Sequence, residues 1–168
     1  MKTNLKNLSV FVSICVVITV LLAATNAITA PIIEKNQQAS ANKALLEVMS
    51  EGKGFETMDI SSYTLPATVT EVHKETAGLG YVIKLVTAGY GSDMVIMCGV
   101  KTDGFVTGAV CLSSNETLGK EKTYGENFKD KDAAAVDAVD IIGGATKTTE
   151  AYKNAVKDAL NAAIILGG

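Results

Sequence analysis

The chain contains no arginine and no tryptophan, only one histidine, and two prolines in 168 residues. The missing arginine excludes the most. Proteins that follow a nucleic-acid backbone use clustered Arg and Lys, and a lysine-only chain lacks the bidentate fork that suits planar anions. A nucleic-acid partner is therefore not expected. The single histidine, His73, leaves any Ser–His or Cys–His arrangement one candidate base. No catalytic residue is assigned on that ground. Cys15, Cys98 and Cys111 show no metal-ligand spacing, so no metal centre is expected. No GxxxxGK[ST] spacing occurs, which excludes a Walker-type phosphate loop.

Charge is also absent from one long stretch. Nothing between Asn7 and Ile33 is ionisable as an acid or a lysine, and "LSVFVSICVVITVLLAATNAITA" (8–30) is rich in Val, Ile and Leu. A helix needs ~20 such residues to cross a bilayer core. Lys2 and Lys6 precede the run, whereas Glu34 and Lys35 cancel after it. The positive-inside tendency then orients the chain. Residues 1–7 are expected in the cytoplasm, 8–30 as a transmembrane anchor in the cytoplasmic (inner) membrane, 31–50 as a juxtamembrane helix, and 51–168 as an extracytoplasmic domain. A cleavable leader is the competing reading, with "TNA" and "ITA" as small-residue sites. The run exceeds an ordinary leader core, which favours the anchor. Beyond residue 30, thirteen lysines meet eighteen acids, leaving five net negative charges.

Past Pro31, Ala41, Ala44, Leu45, Val48 and Met49 fall on one helical face. Residues 50–66 hold Gly and Pro and read as a loop. Segments 67–74, 80–88, 93–100 and 104–113 are short and rich in β-branched residues, as strands are. "KTDG" joins the last two as a hairpin, with Gly104 free to take positive φ. Cys98 and Cys111 sit in these two segments, and a disulfide would need one particular register; free, buried thiols are expected. The polar stretch 114–135 reads as a long loop. In 151–166, Tyr152, Ala155, Val156, Ala159, Leu160 and Ala163 make an apolar stripe. The fold class is α+β: an N-terminal membrane helix, then a small antiparallel sheet packed with helices.

"DIIGGATKTTE" (140–150) precedes that last helix. A helix N-terminus favours phosphate, and Gly143 and Gly144 let another molecule approach the backbone. Thr146, Thr148 and Thr149 offer hydroxyls, and Lys147 a cation. On composition alone the stretch reads first as a tight turn, with Thr148 or Thr149 capping the helix.

The residues around it carry a resemblance. "VDIIGGATKTTEAYKNAVKDAL" (139–160) resembles the motif of the FMN-binding domain in the G subunit of Rnf electron-transport complexes, shared with the C subunit of the sodium-translocating NADH:quinone reductase. That motif is Asp, two variable residues, then Ser/Thr-Gly-Ala-Thr. It falls on Asp140, Gly144, Ala145 and Thr146, with Gly143 departing from it. "GYVIKLVTAGYGSDMVIMCGVKTDGFVTGAV" (80–110) is similar to the strands and hairpin of the family. "NETLGK" (115–120) stands where the family has Glu-Thr-Pro-Gly-Leu-Gly, matching at Glu116, Thr117 and Gly119. "LLAATNAITAPIIEKNQQ" resembles the anchor end of the Rnf G subunit. "HKETAGLG" (73–80) looks more like the Glu-Thr loop, but it precedes the hairpin instead of following it. Glu75 and Thr76 are thus the lesser alternative.

The resemblance implies FMN held covalently through a phosphoester to Thr146, placed there by a flavin transferase that uses FAD. Asp140 would serve recognition by that transferase. Gly144, Ala145, Glu116, Thr117 and Gly119 would line the flavin. The chain would be an electron-carrying subunit of an ion-translocating ferredoxin:NAD⁺ oxidoreductase, an enzyme only within its complex. Its partners would be the other membrane, iron–sulfur and flavin subunits. The quinone-reductase C subunit and a non-redox, membrane-tethered binding domain are the alternatives.

Overall fold

The computed structural model describes residues 12, 14–23, 25–26, 29 and 43–167. The chain forms two compact units, Met1–Ala41 and Asn42–Gly168. In the first, the described residues are helical and exposed. The hydroxyls of Thr19, Thr25 and Thr29 donate to the carbonyls of Cys15, Leu21 and Thr25, at 2.8, 2.8 and 2.6 Å. These three hydroxyls of the apolar run are thus satisfied within their own helix. Among the described residues no helix is long and apolar enough to cross a membrane. The expected anchor 8–30 lies partly outside the described residues, and residues 1–7 and 31–42 wholly so.

The second unit is built on five antiparallel strands in simple meander order, β1 (Phe55–Met58), β2 (Val69–Glu75), β3 (Gly80–Ala88), β4 (Asp93–Lys101) and β5 (Val106–Ser113). After β5 come α1 (Glu121–Tyr124), a 3-10 turn (Gly125–Phe128), α2 (Ala133–Asp137) and the long α3 (Thr146–Gly167). An α+β fold with an antiparallel sheet and packed helices is therefore what this unit adopts.

Alternation of side chains across the pleat explains the two layers. Tyr81, Ile83 and Leu85 of β3, with Ile96, Cys98 and Val100 of β4, face one side. There they bury the apolar stripe of α3: Tyr152, Ala155, Val156, Ala159, Leu160 and Ala163. Val82 and Met97 point the other way and pack against Ala44, Leu45, Val48 and Met49. Residues 43–48 of that group are helical. Ala41, expected on the same face, lies outside the described residues.

A cross-strand glycine pair lets this helical turn sit on the sheet. Gly99 of β4 lies opposite Gly108 of β5. A Cβ at Gly99 would fall 2.8 Å from the Val48 carbonyl oxygen, and one at Gly108 would fall 3.1 Å from the same atom. The Val48 carbonyl in turn accepts from the Thr107 hydroxyl, the extra residue where the β4–β5 register shifts. The hairpin turn is as expected: Gly104 takes φ +85°, and its N–H donates to the Lys101 carbonyl at 3.0 Å.

Three sequence expectations are corrected. The stretch 50–66 is not all loop, because Phe55–Met58 adds an edge strand to β2. The stretch 114–135 contains α1, the 3-10 turn and α2. These are short helices held by buried Tyr124, Phe128 and Val136 and not by a periodic face. Here Tyr124 and Phe128 meet edge to face at 5.1 Å between centroids, and Phe128 stacks on Tyr152 at 5.7 Å. Finally, α3 begins at Thr146 and not at Ala151. Cys98 and Cys111 are free, the first buried and the second half-buried. The register sets Cys98 opposite Ala109 and Cys111 opposite Ile96, so the thiols are not paired across the ladder.

Candidate functional site

A cavity of about 360 Å³ opens at the N-terminus of α3. Three segments distant in sequence make its walls. The start of α3 contributes Gly144, Ala145, Thr146, Lys147 and Thr148. The segment after β5 contributes Glu116, Thr117, Leu118, Lys120 and Glu121, and the β3–β4 turn contributes Tyr90.

The approach to the helix is a turn closed by the Ala145 N–H, which donates to the Ile142 carbonyl at 3.0 Å. Gly144 within it takes φ +82°, a backbone conformation that disfavours any side chain. Gly143 has no such constraint, and a Cβ there would meet nothing within 4 Å. The residue that departs from the family motif thus has open space where Ser or Thr would project.

The three threonines differ in what their hydroxyls do. Thr149 is buried and donates to the Ala145 carbonyl at 3.0 Å. Thr148 is buried and donates to Glu116 Oε2 at 2.6 Å. Both lie inside the first turn, so neither caps the helix, contrary to expectation. Thr146 is exposed at the cavity wall, and its hydroxyl has no hydrogen-bond partner among the described residues. It sits where the first N–H groups of α3 lack intrahelical acceptors and where the helix dipole is positive. Lys147 and Lys120 bring two cations to the same cavity.

Glu116 is a clasp as well as a wall. Its Oε2 takes the Thr148 hydroxyl, and its Oε1 accepts from the Gly91 N–H at 3.0 Å. Burial pushes the carboxyl up, but the Thr148 hydroxyl and the Gly91 and Tyr90 N–H groups outweigh it and hold it below the usual carboxylate range. The contact is close because Gly89 has no Cβ: one there would fall 2.2 Å from Glu116 Oε1. The β3–β4 turn is in this way tied to the first turn of α3. Lys147 Nζ lies 5.9 Å from the centre of the Tyr90 ring, within cation–π range.

Thr117 lines the cavity beside Glu116. Gly119 does not, but its φ of +62° turns the chain so that Leu118 and Lys120, on either side, both do. Asp140 stands apart. It is exposed in a separate cleft with Asn127 and Lys131, and its carbonyl accepts from the Tyr124 hydroxyl at 3.0 Å. Glu75 and Thr76 are also outside the cavity. Glu75 is fully buried, and its carboxylate accepts N–H bonds from Lys53, Ala77 and Leu79 at 3.0, 2.7 and 3.1 Å. Those bonds, Lys53 first, hold its carboxyl below the ordinary range. The Glu-Thr sequence at 75–76 therefore closes a turn onto the loop before β1. Tyr90, Leu118, Lys120, Glu121, Lys147 and Thr148 line the cavity without having been assigned to the flavin. The only sequence signal for Tyr90 is its place between two glycines.

The cavity suits a phosphorylated, planar ligand. Lysines and a helix N-terminus answer the phosphate, and Tyr90 and Leu118, 70% and 58% exposed, offer uncovered apolar surface for a ring. Its volume falls in the usual range for small-molecule sites, roughly 300–1,000 Å³. Residues 89–161, which include every wall of the cavity, match the FMN-binding domain.

At the other end of the chain, residues 6–48 match the RnfG N-terminal region. It is similar to the G subunit of the Na(+)-translocating ferredoxin:NAD(+) oxidoreductase complex of Acetobacterium woodii, with 28% identity over 143 residues, 75% of this chain and 68% of that protein. It is also similar to the G subunit of the proton-translocating ferredoxin:NAD(+) oxidoreductase complex of Clostridium ljungdahlii. There the identity is 25% over 169 aligned positions, 92% of this chain and 87% of that protein.

Proposed function

We propose that this chain carries FMN covalently on Thr146 and relays electrons within a membrane-bound, ion-translocating ferredoxin:NAD⁺ oxidoreductase. The observation that carries the reading is the division of labour among three hydroxyls. Thr148 and Thr149 are engaged inside the fold, whereas Thr146 is exposed, unpartnered among the described residues, and placed at a helix N-terminus beside two lysines. A phosphoester there keeps its charge next to the unpaired N–H groups of α3 and next to Lys147 and Lys120. Tyr90 and Leu118 cover the ring, and the Glu116 clasp holds the two sides of the cavity at fixed separation. FMN, when bound, supplies one- and two-electron transfer.

The anchor at 8–30 places the domain outside the cytoplasm. A covalent bond then retains a cofactor that could not be replaced from the cytoplasmic pool. A flavin transferase makes the bond from FAD, with Asp140, exposed away from the cavity, available to it. The two relatives are named for different coupling ions.

The test is to co-express the full chain with a flavin transferase and read in-gel flavin fluorescence and intact mass. Wild type gains the mass of one FMN less one water, with AMP released from FAD as the phosphoester forms. Thr146→Ala loses the label, while Thr148→Val and Thr149→Val, which keep side-chain volume, retain it. Unmodified wild type, or label persisting in Thr146→Ala, refutes the assignment.

A further inference from the structure

One buried polar atom beside the cavity is left without a partner. Glu121 opens α1, is 1% exposed, and lines the cavity. Its Oε1 accepts from the Ser114 hydroxyl at 2.6 Å. Its Oε2 is buried and has no hydrogen-bond partner among the described residues. Buried carboxylate oxygens are normally satisfied, because a desolvated acceptor with no donor loses the bonds water gave it. Lys120, Lys147 and Thr117 share the cavity, yet none donates to this atom. Glu116, the other carboxylate of the wall, differs: both its oxygens are occupied. The wall thus holds one buried acceptor with no donor from the protein among the described residues.

We infer that Glu121 accepts a hydrogen bond from the bound flavin, through its ring imide N–H or a ribityl hydroxyl, and that its charge sets the flavin's redox potential. The inference rests on the reading of Thr146 as the attachment site. Reduction adds negative charge to the flavin ring system. A carboxylate held in a dry wall beside it opposes that gain, since charges interact more strongly away from bulk water. Glu121 therefore lowers the potential, favouring electron donation to the next carrier.

The experiment compares fully flavinylated wild type with Glu121→Gln and Glu121→Asp as full-length chains. Loading is verified by intact mass. The midpoint potential is read by titration against reference dyes, and the flavin absorption bands are recorded alongside. Gln keeps the volume and an acceptor oxygen but removes the charge. The expected result is a more positive potential and a displaced band at unchanged loading. Asp keeps the charge at a shorter reach and should move the potential less than Gln does. Melting temperature is followed in parallel, because a merely structural role would change stability and leave the potential alone. Coincident potentials and spectra in wild type and Glu121→Gln overturn the inference. If Gln does not fold, Asp carries the test through the absorption bands, which its shorter reach displaces by losing the hydrogen bond; bands identical to wild type overturn the inference. A labelled wild type with unresponsive variants sinks only the role of Glu121, whereas an unlabelled wild type sinks the Thr146 reading and this one together.

Discussion

Two adjacent glycines before α3 are not equivalent. Gly144 has φ +82°, and Gly143 has open space around its Cβ direction and no positive φ. A side chain in the left-handed region costs about 1–2 kcal/mol, whereas replacing an unconstrained glycine is neutral or stabilises by up to about 1 kcal/mol. Gly144→Ala should therefore lower unfolding stability by about 1–2 kcal/mol in a denaturant titration. Gly143→Ser should be tolerated, with little loss. Equal effects at both positions would contradict the assigned backbone. Of the residues named from the motif, Gly144, Ala145, Thr146, Glu116 and Thr117 converge on one cavity. Asp140 and Gly119 do not line it. The motif could not show this, because it carries the order of residues and not the direction of their side chains.

At the level of elements, the β-strands and the stripe of α3 were legible because their periods are two and 3.6, and apolar residues occupy one face. The edge strand β1 was not. Only four residues long, it is held by pairing to β2 and by half-buried Phe55 and Met58. The same holds for α1 and α2, whose anchors Tyr124 and Val136 find their partners on other elements. The start of α3 was read too late because a run of threonines has low helix propensity. Their hydroxyls bond within the first turn and to Glu116, which offsets it. The seat of the 43–48 helical turn on Gly99 and Gly108 is an element-scale contact with a direct test. A methyl at Gly99 meets the Val48 carbonyl oxygen at 2.8 Å, closer than ordinary packing allows. Gly99→Ala should cost about 1–3 kcal/mol by overpacking, read as a lowered midpoint of thermal unfolding. An unchanged midpoint would mean the turn is free to move off the sheet.

For the folded unit as a whole, acid is the relevant stress. His73 is buried with its pKa pushed down by desolvation, against the pull of Glu71. The folded state thus holds fewer protons than the unfolded one below an ordinary histidine pKa of ~6.5. Stability from this group is present above that pH and falls as pH drops through it. Glu75 and Glu116 have depressed carboxyl pKa values, so their contribution is present above ~4.3 and is lost as pH falls through their folded values. Melting temperature should decline in two stages on acidification, first below ~6.5 and again below ~4.3. His73→Gln should remove the first stage and leave the second. A single late transition in wild type would count against the buried histidine.

By itself, the sequence determined the apolar segment, the α+β order of elements and the family match, because these depend on composition, local period and residue order along the chain. The tertiary structure alone decided which of three hydroxyls is left exposed at the cavity, that Glu116 clasps one turn to another, and that Glu75 in the look-alike loop is buried away from the cavity. Burial and hydrogen-bond partnership are set by residues far apart in sequence. Thr148 and Glu116, or Glu75 and Lys53, become partners only after the sheet has brought their elements together.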